Sequence, residues 1–403
     1  MKQLFTVLLL SAVLAGCSKQ QDDPNGPPSN TNGKMTVLMK PSLSLTANFI
    51  LTGKKIVIDW GDGQETKIAN IDFNTATHQY SQGGSYRVTI YGEDLTSFTC
   101  MGSNITEIKV DENPALQTLD CNYNEITSLD LSKNSYLQTL RCDNNKLSAL
   151  NVSKNTLLEN LICDHNSIAA LDVAANTKLQ SLWCRYNQLT ALDISPNKLL
   201  ISLNCDNNPI PTLNVSANIE LQRLAVSECQ LTQLDVSSNK QLNALECYNN
   251  KLAVLDLTAN TKISFLWVQK NQFTAIDISR QPDLEYLSCS QNKISSLDLS
   301  HNPKLSNVDC WENEITTLDV SKNTLLINFN FRANHIASID LSKNTKLADL
   351  RCRSNNFSAE SLNNMFGTLH GNAGTKYIDY YDNPGTNACN PAIVTNKGWT
   401  VRF

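Results

Sequence analysis

The stretch Leu129–Leu150, LDLSKNSYLQTLRCDNNKLSAL, holds one full repeat unit and the first residue of the next. In the unit that starts at Leu140, the residues Leu140, Cys142, Leu147, Leu150, Val152 and Leu158 are apolar, and Asn145 and Asn155 punctuate them. Outward from it, the Leu140-x-Cys142 pair recurs at Leu119-x-Cys121 and Leu161-x-Cys163. The register runs from Phe98-x-Cys100 to Leu350-x-Cys352 in steps of 21 residues without a slip, giving thirteen units. A shift of seven then places a fourteenth, degenerate copy at Ile378-x-Tyr380, with Asn383 in the Asn position. Short stretches of each unit alternate apolar and polar residues, as half-buried strands do, and Asn and Ser turn residues separate them. One such coil cannot bury its own apolar positions, whereas stacked coils bury each other's. The expected fold class is a repeat solenoid with a parallel β-sheet. Fourteen strands about 4.8 Å apart would make a rod roughly 65 Å long.

The LxCxxN signature, carried by residues 129–150 and by Leu318–Phe331 (LDVSKNTLLINFNF), resembles that of the BspA-like, internalin-like surface leucine-rich-repeat lipoproteins of Bacteroidetes. The resemblance covers about residues 98–357. It implies adhesion or ligand binding, with no enzyme activity. Composition agrees with a binding protein: net charge is −5, pI is about 5.6 and no basic run offers a nucleic-acid backbone a footing. No HExxH, GxSxG, P-loop or dinucleotide motif is present, so no cofactor and no catalytic residue is expected. His165 and His335 follow strands eight coils apart and cannot share a site.

Ten of the 13 Cys occupy the third position of a repeat, a slot filled elsewhere by Val226, Val268 and Phe331. A slot shared by Cys, Val and Phe is a packing slot. The column therefore reads as buried free thiols. Disulfides are the weaker reading, because parallel side chains do not point at each other, and metal is weaker still, because zinc spacing is absent. Cys229 stands in an Asn slot, and Cys389 lies near the C-terminus. The Asn slot (Asn124, Asn145, Asn166, Asn187) should form a ladder that satisfies backbone groups at a turn. The Asp slot (Asp130, Asp172, Asp193, Asp235, Asp256) should cap turns; recruitment of calcium is the minor alternative.

Residues 1–16 read as an export signal ending in Leu14-Ala15-Gly16-Cys17, which resembles a bacterial lipobox and makes Cys17 the acylation site. The polar segment 17–34 reads as a tether. Its Asp22-Asp23 pair resembles the acidic export signal of surface-exposed lipoproteins. An outer-membrane lipoprotein is implied, at the cell surface or on the periplasmic face, with the N-terminal lipid as its sole membrane anchor. Residues 35–97 contain WGDG (60–63), His78-x-Tyr80 and strands at Ile56–Trp60 and Tyr86–Tyr91, which resemble a reduced PKD-like β cap. Asp59 and Asp62 read as turn formers rather than calcium ligands, and His78 as a packed strand residue. Residues 98–357 are the repeats, and 358–403 a C-terminal cap. The cap should contain a helix Ala359–His370 behind the N-cap Ser358, the degenerate strand Tyr377–Tyr381, a helical turn at Pro391–Asn396 and a closing strand through Trp399.

With Leu and Cys pointing inward, the residues beside them should line the outer sheet face. Repeats eight to eleven then display Tyr248, Phe265, Trp267, Tyr286 and Trp311 together, beside Glu246. Repeat five displays Trp183, Arg185 and Tyr186. Trp, Tyr and Arg are the commonest contact hot spots. The face is the candidate site for a host matrix or cell-surface protein; a polysaccharide stacked on the rings is the alternative.

Overall fold

The computed structural model describes residues 32–41, 45–69 and 73–402. The expected export signal, Cys17 and nearly all of the expected tether fall outside the described residues. The rest forms one continuous ladder of strands.

The N-terminal cap is antiparallel. Strand β1 (Asn32–Met39) lies between β5 (Tyr86–Thr99) and β6 (Ile105–Lys109). On the other side, β5 pairs with β2 (Thr46–Asp59), whose two halves pair with β4 (Asn74–Gln79) and β3 (Glu65–Ile68). Alternation along β1 and β2 buries Met35, Val37, Met39, Phe49, Ile56 and Ile58. Trp60 stacks on His78 at 4.8 Å, and His78 Nε2 meets Asp62 Oδ2 at 2.7 Å. Burial would raise the Asp62 carboxyl, yet the His78 hydrogen bond and the Gln64 N–H hold it below the usual range. Asp59 and Asp62 accept the N–H groups of Gly61 and Gln64, as turn formers do.

Cap and solenoid share a strand. The end of β5, Ser97–Thr99, pairs in parallel with β7 (Thr118–Asp120). From there three-residue strands follow one per coil: β8 (Thr139–Arg141), β9 (Asn160–Ile162), β10 (Ser181–Trp183), β11 (Ser202–Asn204) and β12 (Arg223–Ala225). They continue as β13 (Ala244–Glu246), β14 (Phe265–Trp267), β15 (Tyr286–Ser288), β16 (Asn307–Asp309), β17 (Asn328–Asn330) and β18 (Asp349–Arg351). Each pairs in register with the next, Leu against Leu except where Val308 and Phe329 stand in the column. Leu140, Cys142, Leu147, Val152 and Leu158 are fully buried. Burying a Leu or Val side chain contributes about 1.5–3 kcal/mol, so the repeated inward positions supply the main driving force.

The C-terminal end follows the expected order. A helix, α1 (Ala359–Thr368), is capped by Ser358 accepting from Ser361 N–H at 3.1 Å. Strand β19 (Lys376–Asp379) continues the ladder, a short helix, α2 (Ala392–Thr395), follows, and β20 (Trp399–Val401) adds in parallel. Lys397 Nζ donates to the carbonyls of Phe366, Gly367 and Leu369 at the end of α1.

Candidate functional site on the sheet face

Three side-chain columns reach the outer face of the sheet. In β10, Leu182 is buried, so Ser181 and Trp183 flank it on the outside, and Arg185 follows the buried Cys184. The register repeats this on every coil: Trp183 stands beside Asn204, then Ala225, Glu246 and Trp267.

The residues after Cys differ from the sequence expectation. They were expected to point outward, but Asn122, Asp143, Asp164, Asp206, Ser227 and Ser290 are buried. The buried ones are the short side chains; Arg185, Tyr248, Trp311 and Arg332 at the same position are half-buried, and a left-handed residue follows the position on every coil. Tyr123, Asn144, His165, Tyr186, Asn207 and Glu228 have φ between 52° and 58°, and the later coils do the same. A short side chain here reaches across to the neighbouring coil. There it has a task, because the N–H of the residue after Cys needs an acceptor. Asp164 accepts that of Arg185 at 2.9 Å and Asp206 that of Ser227 at 2.6 Å. Asp120 and Asn204 do the same for Asn122 and Asp206 within their own coils.

These carboxylates are poorly solvated. Burial pushes Asp164 up to about 6, even though Arg185 donates to it at 2.6 Å. Burial pushes Asp206 up to about 7 against the Ser227 N–H and Arg185. Glu246 rises to about 8, through burial and then the negative charge of Asp206.

The aromatic residues stand where the repeat placed them, in two groups. Tyr248, Phe265, Trp267, Tyr286 and Trp311 occupy the consecutive coils of β13 to β16; Trp183, Arg185 and Tyr186 belong to β10. They are less exposed than an open strip. Tyr186 is 41% exposed, and the other rings are half-buried. Ring faces are taken by neighbours: Phe265 stacks on Tyr286 at 4.7 Å, Tyr186 on His165 at 4.2 Å, and Arg332 lies 4.2 Å over Trp311. Trp183 Nε1 donates to Ser202 Oγ at 3.3 Å. The sequence reading passed over Asp164, Asp206 and Ser227 as site residues; their place in the column after Cys was the signal. Among the described residues, no group of three or more His, Cys, Asp or Glu could hold a metal ion.

No protein-family model and no curated protein matches the chain. Among solved structures, the functional domain of InlJ from Listeria monocytogenes, which includes a cysteine ladder, is 31% identical. The match covers 72% of this chain and 76% of that one, with a TM-score of 0.60. The chain belongs to the leucine-rich-repeat proteins. The internalin InlF from Listeria monocytogenes is 22% identical over 76% of this chain and 86% of that chain, at a TM-score of 0.61. The leucine-rich-repeat protein LIC12759 of Leptospira interrogans is 19% identical over 73% and 74%, at 0.55. Both share the fold.

Two ladders hold this leucine-rich-repeat frame in shape. In the LxCxxN ladder, Asn187 Nδ2 donates to Cys163, Cys184 and Arg185 carbonyls, and its Oδ1 accepts the Ile168 N–H. Ser103 fills the Asn slot on the first coil and Cys229 on the seventh, and Cys229 Sγ donates to the Cys205 carbonyl at 3.3 Å. The second ladder, Asn155, Asn176, Asn197 and onward, is fully buried and donates to two carbonyls of the preceding coil at each step. The Asp slot caps turns as expected: Asp172 and Asp193 each accept the N–H two residues on at 2.9 Å. All the described cysteines are free thiols, and only Cys389 is not fully buried.

Proposed function

We propose that this leucine-rich-repeat chain is a protein-binding adhesin of the cell envelope. It would be anchored by a lipid on Cys17 and reach a host matrix or cell-surface protein with the sheet face from β10 to β16. The observation that carries the reading is the grouping of Tyr248, Phe265, Trp267, Tyr286 and Trp311 on four consecutive coils, with Trp183, Arg185 and Tyr186 as a second group on the coil of β10. Trp, Tyr and Arg in partly desolvated settings are the residues on which protein contacts concentrate their energy. The leucine-rich-repeat neighbours support a protein-interaction scaffold. Among the described residues no helix is long and apolar enough to cross a membrane, which suits a lipid tether. No catalytic role is proposed.

A protein is favoured over a polysaccharide because sugar stacking needs open ring faces, and Phe265, Tyr286, Tyr186 and Trp311 turn a face to a neighbour. The test is a binding screen of matrix proteins and polysaccharides against the wild type and a Trp183→Ala/Trp267→Ala/Trp311→Ala variant. A protein hit lost in the variant, with its circular dichroism unchanged, supports the reading. A polysaccharide hit lost in the variant, or a protein hit that survives it, contradicts it.

A further inference from the structure

On the coil of β12 a sulfur has changed place. The third position holds Val226, where the coils on either side hold Cys205 and Cys247, and the Asn slot three residues on holds Cys229. The move changes what the sulfur faces. Column thiols sit on parallel coils in register and point the same way, so neighbours such as Cys184 and Cys205 lie side by side. The Asn slot instead reaches back across the coil boundary. Asn208 Nδ2 meets the Cys184 carbonyl at 2.9 Å, and Asn250 Nδ2 meets the Val226 carbonyl at 2.8 Å. Cys229 Sγ takes the same path to the Cys205 carbonyl at 3.3 Å.

At the end of that path the two thiols meet. The Cys205 side chain hydrogen-bonds with that of Cys229, and among the described cysteines Cys205 is the one whose thiol pairs with another thiol in this way. The hydrogen bond, and then burial, push the Cys205 thiol well above its ordinary range. Both residues are closed to water, at 0% and 1% exposure. Exchange chemistry needs a thiolate that a reagent can reach, and the finished coil offers neither.

We infer that Cys205 and Cys229 close a disulfide when the chain folds in the presence of a small disulfide such as oxidised glutathione. The Cys229 thiolate attacks the glutathione disulfide, forming a mixed disulfide and releasing one glutathione. The Cys205 thiolate then attacks the Cys229 sulfur, forming the protein disulfide and releasing the second. Two protein thiols are oxidised, one glutathione disulfide is reduced to two glutathiones, and the two thiol protons pass to them. The step belongs to the moment when the coil of β12 settles on the coil of β11, with the sulfurs already near and water not yet excluded. The bond joins residues 24 apart on the two coils that separate the aromatic group of β10 from that of β13 to β16. It would fix the spacing of the two groups, whatever the face binds.

The full chain is unfolded and reduced, then refolded by dilution into dithiothreitol or into a mixture of reduced and oxidised glutathione. Each product is alkylated in denaturant, digested and mapped by mass spectrometry. Wild type refolded with glutathione should lose alkylation at Cys205 and Cys229 together and yield one peptide pair linked through them. Refolded in dithiothreitol, it should keep both thiols. Cys229→Asn, which restores the usual residue of the slot, should fold by circular dichroism and keep Cys205 alkylatable in both mixtures. The chain exported to a bacterial periplasm and mapped in the same way gives a reading that needs no refolding, and the same link is expected there. Free Cys205 and Cys229 in the glutathione-refolded or the exported chain overturn the inference, as does Cys205 linked to Cys184 in place of Cys229.

Discussion

Arg185 donates its side-chain Nε–H to Asp164 Oδ2 at 2.6 Å, while Asp164 Oδ1 accepts the Arg185 backbone N–H at 2.9 Å. One carboxylate thus ties two coils by both side chain and main chain. Asp164→Ala removes both bonds and leaves a buried N–H unpaired, which should cost about 2–3 kcal/mol. Asp164→Asn keeps a neutral acceptor and should cost about 1 kcal/mol. Urea unfolding of the two variants checks the ranking.

Stability should depend on pH in an unusual direction. Asp206 and Glu246 are raised to about 7 and about 8 in the folded chain. The folded state therefore holds protons that the unfolded state has released. Their contribution is fully present below the unfolded carboxylate range near pH 4 and declines as the pH rises toward about 8. The melting temperature should fall between about pH 5 and about pH 8, and Asp206→Asn/Glu246→Gln should flatten that slope. An unchanged slope in the variant would place the effect elsewhere.

The break in the Asn ladder at Cys229 gives a sharper test. Asn187→Ala would leave the Ile168 N–H without its acceptor and reduce the Cys163 and Cys184 carbonyls to one donor each, from Asn166 and Asn208, and about 1–3 kcal/mol of stability should be lost. At Cys229 the thiol replaces those donors weakly, and the Ile210 N–H turns to the Asn208 carbonyl at 2.8 Å instead. Cys229→Ala should therefore cost less than Asn187→Ala, and Cys229→Asn should be tolerated. Matched melts of the three variants would show it.

Burial fixes thiol chemistry as well. Cys142, Cys163 and their neighbours are fully buried, and burial pushes their thiols well above the ordinary range, so they stay protonated. In the folded chain a thiol reagent should find Cys389, and Cys17 if it carries no acyl group. The column thiols should react only after unfolding.

The solenoid was legible because one spacing, Leu-x-Cys every 21 residues, repeats without a slip, and burial at Leu140, Cys142 and Val152 follows directly. The left-handed residue on each coil was not. Residues 103–366 contain no glycine, so Tyr123, Tyr186 and Lys270 take positive φ with no sequence mark. Asp206 and Ser227 were expected to be exposed and lie buried, because short side chains in that column are covered by their neighbours. The cap strands were only partly legible: β5 runs from Tyr86 through Gly92 to Thr99 because its end is also the first strand of the solenoid. Which residues share the sheet face was readable from column arithmetic. How deeply they sit was not, since that depends on neighbours one coil away.

The most direct test of the central claim is hydrogen–deuterium exchange of the full chain, free and bound to a protein retrieved by the screen. The account predicts new protection across β10 to β16 and the loops that carry Arg185, Tyr248 and Trp311. Protection confined to the cap strands, or to the turns of Asp298 and Asp319, would contradict it.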